Sequence, residues 1–168
     1  MVLNKVFLEK VTLNIGVGEG GQALEAAKTL LKNVSGMNPV QTLAKTRNPA
    51  FHVRQGDPIG TKITLRGKKA EEVLVRALQS VEKTVSRRSF DDNGNVSFGI
   101  KEYIDFPGLK YDPKIGMMGF DVCVSLRKKG TRISHRRIAK KKLPRKQRVS
   151  ADEARVFFES AYGVKIAS

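Results

Sequence analysis

Between Arg127 and Arg148 the chain places twelve cations in 22 residues without one acid: Arg127, Lys128, Lys129, Arg132, Arg136, Arg137, Lys140, Lys141, Lys142, Arg145, Lys146 and Arg148. Only Ile133, Ile138, Ala139 and Leu143 are apolar in that run, too little to drive collapse against such self-repulsion. It therefore needs a polyanion to order it. Phosphates supply the compensation by releasing condensed counterions, with log K falling by roughly 0.9 per phosphate neutralised against log salt on duplex DNA. A solvated loop that only aids solubility is the alternative; it suits a run of five or six charges better than twelve. An anionic membrane surface would also accept the charge, but the run lacks the apolar face that an interfacial helix inserts. Nucleic acid is the expected partner.

The run also owns most of the chain's charge. Of the net +16 on 168 residues, the 146 residues outside it carry +4, and 40% of all residues are hydrophobic, enough for one core. The longest stretch free of Asp, Glu, Lys and Arg is Asn33 to Ala44, short of the roughly 18 residues of a membrane span. MVLNKVFLEK carries no apolar leader region or cleavage site, so a cytoplasmic protein without a membrane partner is expected. A lone Cys123 excludes an internal disulfide, and His52 and His135 are the only other soft ligands. Neither a metal nor a cofactor is expected.

Hydrophobic periodicity outlines the elements. Phe7 to Ile15 alternates in its second half, Val11, Leu13 and Ile15 against Lys10, Thr12 and Asn14, which predicts a half-buried strand. Ala23, Ala27, Leu30, Leu31 and Val34 recur at helical spacing before Gly36 and Pro39, a helix with its stop. Val40 to Lys45 and Ile59 to Arg66 predict strands, joined by the long polar connection TRNPAFHVRQGDP. A helix is expected over Lys69 to Val85, with Val73, Leu74, Ala77, Leu78, Val81 and Val85 as its stripe. DDNGN at Asp91 to Asn95 predicts a tight reversal into a strand over Val96 to Lys101, and Phe120 to Leu126 is the last strand. Between those strands lies a Gly/Pro-rich segment, Phe106 to Met118. Ser150 with Glu153 forms a capping box for a helix whose stripe is Ala154, Phe157, Phe158, Ala161 and Tyr162, closed by Gly163.

Three helices whose apolar stripes need one surface give an α+β fold over residues 1–168. The expectation is a single domain: a largely antiparallel sheet, helices on one face, and a basic insertion at 127–148 before the C-terminal helix. The opposite face would carry Lys10, Thr12, Asn14, Lys62, Thr64 and Arg66, either as an RNA-facing surface or as a merely solvated one; alternation leaves both open.

Gly16, Gly18 and Gly21 match the dinucleotide fingerprint between a strand and a helix. The acid that should follow about 20 residues on is missing from Asn33 to Lys45, and Glu19 would set a carboxylate where pyrophosphate must sit. The glycines are thus read as turn residues, and with no nucleophile near either histidine no enzyme is expected. Phe51, beside His52 and Arg54, either stacks on exposed bases or packs on the core as a staple, and sequence alone slightly favours the staple. A general nucleic-acid-binding architectural protein is the alternative that charge by itself supports.

Three blocks say more. KVTLNIGVGE (Lys10 to Glu19), PVQTLAKTRNPAFHVRQGDPIGTKITLRG (Pro39 to Gly67) and SFGIKEYIDFPGLKYDPKIGMMGFDVCV (Ser97 to Val124) resemble, in order and spacing, the universal 5S-rRNA-binding family of the large ribosomal subunit, family number five. The basic insertion resembles its archaeal and eukaryotic branch, and the short termini its archaeal members. The resemblance implies a structural ribosomal protein that fixes 5S rRNA into the central protuberance. It implies 5S contacts at Asn14, Gly16, Gly18, Gln41, Thr42, Lys45, Lys62 and Thr64, with Met37 standing where the family often has Gln. It further implies a loop facing peptidyl-site tRNA, with Arg47, Asn48, Phe51, His52 and Arg54. The segment Phe106 to Met118 would bridge to a protein of the small-subunit head, and the basic run would lie on large-subunit rRNA.

Overall fold

The computed structural model describes residues 5–18 and 20–167; the expectations resting on Glu19 and on the first four residues lie outside these. Strand β1 (Val6–Gly16) is central because its alternate residues Val11, Leu13 and Ile15 are almost wholly buried. It pairs antiparallel with β3 (Pro58–Leu65) on one side and β6 (Phe120–Lys128) on the other, while β2 (Val40–Leu43) and β5 (Asn95–Ile100) form the edges of the order β2-β3-β1-β6-β5. Helices α1 (Gln22–Ser35), α2 (Lys68–Ser80) and α3 (Ala151–Tyr162) send Leu30, Leu31, Val73, Leu74, Leu78 and Phe158 into the same core as the inward residues of β1 and β6. Burying one such side chain contributes roughly 1.5–3 kcal/mol. Their concentration on one side of the sheet therefore fixes which face the helices cover. The expected α+β architecture is present: an antiparallel five-stranded sheet with helices on one face.

Several boundaries differ from the sequence reading, those of α2 and β2 among them. α2 ends at Ser80 rather than at Val85, because Glu82 and Lys83 take left-handed backbone angles, φ 52° and 54°. Val85 is buried all the same, but from β4 (Thr84–Ser86), which pairs in parallel with β7 (Lys165–Ala167). Three-residue strands have no readable alternation, so neither was foreseen. β2 closes at Leu43, two residues early; Ala44 then exchanges bonds with the loop, its N–H donating to Asp57 O and its carbonyl accepting from Gly56 N.

Candidate nucleic-acid interface

Register decides which polar side chains share the uncovered face. Thr12 lies opposite Thr64 on β3 and Cys123 on β6, and Cys123 in turn opposite Ser97. One row along, Gly99, Asp121, Asn14, Lys62 and Val40 run across all five strands. Lys62, Thr64, Ser97, Asp121 and Cys123 are exposed, and Thr12 and Asn14 half-exposed. The result is a continuous hydroxyl, amide and amine surface with one carboxylate. Sequence reasoning named its β1 and β3 members and missed Ser97, Asp121 and Cys123 as theirs; the alternation of Phe120 to Leu126 held that signal once the strand order was known. Partial desolvation, with the Asp121 charge beside it, pushes the Cys123 thiol up, which disfavours the reactive thiolate.

Three expected 5S residues, Asn14, Lys62 and Thr64, meet on this face, with Thr42 on the adjoining row opposite Gly60. Gln41 does not join them. It pairs with Thr61, which is wholly buried toward the helices, so Gln41 emerges on the helix side next to Glu25 and Thr29 of α1. A period of two leaves no other choice.

Beyond Asn14 the strand runs into the glycine turn. The Val17 and Gly18 N–H groups both donate to Ile59 O, at 3.0 and 2.9 Å. Gly18 takes φ 82°, which a side chain would strain. Those N–H groups are committed to the fold rather than to a pyrophosphate. Loop 46–57 is equally well tied. Asn48 and Val53 bond each other in both directions, Asn48 Oδ1 accepts from Ala50 N, and Asp57 accepts from Arg54 N at 2.8 Å. Its tip, Pro49–Phe51, is a single 3-10 turn that His52 leaves with φ 53°. The staple expected for Phe51 is absent: the ring is 76% exposed, because this turn points it away from the core. Arg47, Asn48, His52 and Arg54 are exposed around it.

The basic run is shorter as an insertion than its charge boundary implies, because β6 continues through Lys128. Strand parity separates its first two cations. Arg127 lies on the open face, 2.7 Å from Glu9, whose carboxylate is also 3.6 Å from Arg66; a register shift between Leu8 and Lys10 accompanies Glu9. Lys128 turns inward, 6% exposed, with its ammonium 2.6 Å from both carboxylate oxygens of Glu153. Lys128 is thus withdrawn from the cationic surface, correcting its assignment to rRNA contact. From Lys129 to Lys146 every cation is exposed. The segment nevertheless folds back on itself: Lys141 N donates to Ile133 O, Arg136 Nε to Ala139 O, and Arg148 reaches Leu143 O and Asn93.

Glu153 secures both ends of this insertion, since it also accepts from Ser150 N while its own N–H donates to Ser150 Oγ. Burial pushes its carboxyl up, but the bonds from Lys128 and Ser150 and the ammonium charge outweigh that and hold it below its ordinary 4.5. A carboxyl depressed in the folded state stabilises fully above its unfolded value, and that share vanishes as pH falls through the folded value. Between about pH 6 and about pH 3 the wild type should therefore lose more thermal stability than Glu153→Gln. Parallel pH profiles for the two would contradict this role.

Segment 106–118 is pinned where sequence showed only Gly and Pro. Phe106 and Ile115 are buried, and the Asp112 N–H donates to the buried Tyr103 hydroxyl at 2.8 Å. Tyr111 and Met117 are left 55% and 59% exposed. Among the described residues no group of three His, Cys, Asp or Glu gathers as metal ligands do, and no helix is long and apolar enough to cross a membrane.

Comparison with known proteins agrees with the three sequence blocks. Residues 2–54 match the family described as ribosomal protein L5, and residues 58–150 match the C-terminus of the same ribosomal family. The chain is similar to the large ribosomal subunit protein uL5 of Methanoregula boonei, 45% identical over 98% of this chain and 99% of that one. It is 46% identical to uL5 of Methanosphaera stadtmanae over 98% of both chains. With uL5 of Pyrobaculum aerophilum it shares 46% over 98% of this chain and 92% of that one.

Proposed function

Because the chain belongs to the ribosomal protein L5 family, and so is a structural, non-enzymatic component of the large ribosomal subunit, we propose that its open sheet face and glycine turn bind 5S rRNA and fix it in the central protuberance of a cytoplasmic ribosome. Loop 46–57 then faces peptidyl-site tRNA, segment 106–118 meets a protein of the small-subunit head through Tyr111 and Met117, and the insertion from Lys129 to Arg148 lies on large-subunit rRNA. The observation that carries the 5S assignment is the register that sets Thr12, Asn14, Lys62 and Thr64 together on a sheet face no helix covers. Hydrogen-bonding side chains at fixed spacing on a rigid sheet suit the irregular surface of a folded RNA. The basic insertion supplies charge without such geometry.

Asn14→Ala combined with Thr64→Ala should reduce preference for 5S rRNA over an unrelated RNA of equal length by roughly 10-fold or more, two lost hydrogen bonds at about 1 kcal/mol each. The salt dependence should stay unchanged. Filter binding at several salt concentrations measures both. Equal affinity of the unaltered chain for the two RNAs would instead favour a general nucleic-acid-binding architectural protein.

A further inference from the structure

One helix departs from the charge pattern of the chain. α1 and α2 each carry one more base than acid, but α3 has Asp152, Glu153 and Glu159 against Arg155 alone, and Arg155 is bonded to Asp152 at 2.6 Å. α3 also points apolar residues in two directions: Ala154 and Phe158 enter the core, whereas Val156 is left 63% exposed. Asp152, Val156 and Ser160 recur four apart, with Phe157 and Ala161 beside them, and so share one face of the helix. That face and the start of β1, Lys5 and Val6, flank a groove of about 610 Å³.

The same place holds a free sheet edge. Among the described residues β3 pairs with β1 only from Val11 to Gly16, because after Leu65 the chain turns away into α2. Val6, Phe7 and Leu8 pair with β6 on one side and with no strand on the other. An edge of this kind accepts an extended peptide through its backbone N–H and C=O groups. Val6 faces the helix side, as its partner Lys128 does, and belongs to both the edge and the groove. A strand added there lays alternate side chains into the groove.

We propose that this groove docks an extended segment of a neighbouring protein in the large subunit, with apolar side chains against Val156 and Phe157 and Lys or Arg flanking them. Charge selects that chemistry. The Asp152 side chain stays 86% exposed despite its bond to Arg155, and Glu159 is exposed and in no ion pair among the described residues. Both carboxylates attract a cation and repel phosphate, so a basic peptide suits this face and RNA does not. The wall is also held before anything arrives: the Phe157 ring stands edge-on to Phe158 and Tyr162, centroids 6.2 and 6.0 Å apart, and the Ser150–Glu153 box fixes the start of α3. Little ordering is then left to binding. Because the helices cover the face opposite Asn14 and Thr64, this docking stands apart from the 5S reading.

Photocrosslinking in assembled large subunits tests this. Irradiating subunits whose chain carries Val156→p-benzoylphenylalanine should join it to another protein, at a segment that mass spectrometry shows to combine apolar residues with Lys or Arg. The same label placed by Ala161→p-benzoylphenylalanine, exposed on the same face, should reach the same segment and guards against a misplaced probe. Adding Glu159→Lys should lower the yield at least about 3-fold, since a like charge beside the incoming cations disfavours them, and Glu159→Gln should lower it less. Crosslinks to rRNA overturn the proposal, as does a partner segment without cations. Crosslinks to residues 1–4 of the same chain assign the groove to the protein's own start and overturn it too. No crosslink from either position in assembled subunits leaves the groove without a partner and ends the proposal.

Discussion

With Lys140, Lys141 and Lys142 replaced by alanine, the plot of log K against log salt for RNA binding is expected to flatten by roughly 2–3 units, since each cation that neutralises a phosphate contributes about 0.7–0.9. Between about 50 and 200 mM salt the variant should then lose roughly 20- to 60-fold less affinity than the parent. The size of the effect follows from the fold. All three ammonium groups are exposed, and among the described residues the ion pairs engage Lys28, Arg66, Arg127, Lys128 and Arg155 but none of the three. Their full charge is therefore available to phosphate. Selectivity for 5S rRNA over an unrelated RNA should hardly move, because the residues proposed to discriminate sit on the sheet. Loss of discrimination with an unchanged slope would reverse this division of labour.

Gly94→Ala is expected to cost about 2–5 kcal/mol of folding stability in urea unfolding, a large share of what a small domain has. Two penalties combine. Gly94 holds φ 73°, where a Cβ adds about 1–2 kcal/mol. That Cβ would also stand 2.5 Å from Cγ1 of Val149 and 2.6 Å from its Cβ, and overpacking a buried contact costs typically 1–3 kcal/mol. Val149 is 3% exposed and directly precedes the Ser150 cap, so it cannot swing away without loosening α3. Adding Val149→Ala should return little of the loss, because the contact with the Cβ of residue 149 at 2.6 Å and the backbone strain both remain. A cost below about 0.5 kcal/mol for the single change would mean the turn and the foot of the insertion are not in contact.

What could be read from residues alone was whatever repeats locally. Val11, Leu13 and Ile15 announced a half-buried strand, and Ser150 with Glu153 announced the start of α3 to the residue. What could not be read needed the partner strand. Gln41 and Thr42 are neighbours of similar polarity, and only pairing with Thr61 and Gly60 sends them to opposite sides of the sheet. Lys128 sits in a basic run and looks like its neighbours; its parity with Leu126, not its charge, turns it inward to Glu153. Phe51 went the other way, an apolar side chain for which a core staple was only slightly favoured over base stacking and which the 3-10 turn holds outside the core. Phe51 lines one groove with Gly16 and Gly18, some 30 positions away in the chain and beyond the reach of any motif.

The contact of Glu153 with Lys128 at one foot of the basic insertion and with Ser150 beside the other has a consequence for how RNA is held. A tethered arm on a slack hinge gains avidity for many arrangements of its target, because the tether lets it search. On the function proposed above, this arm, fixed at both roots, would act as a ruler: only an RNA assembly whose second strand passes at the set distance from the sheet would engage both surfaces at once, and a mis-spaced one would gain nothing from the second contact.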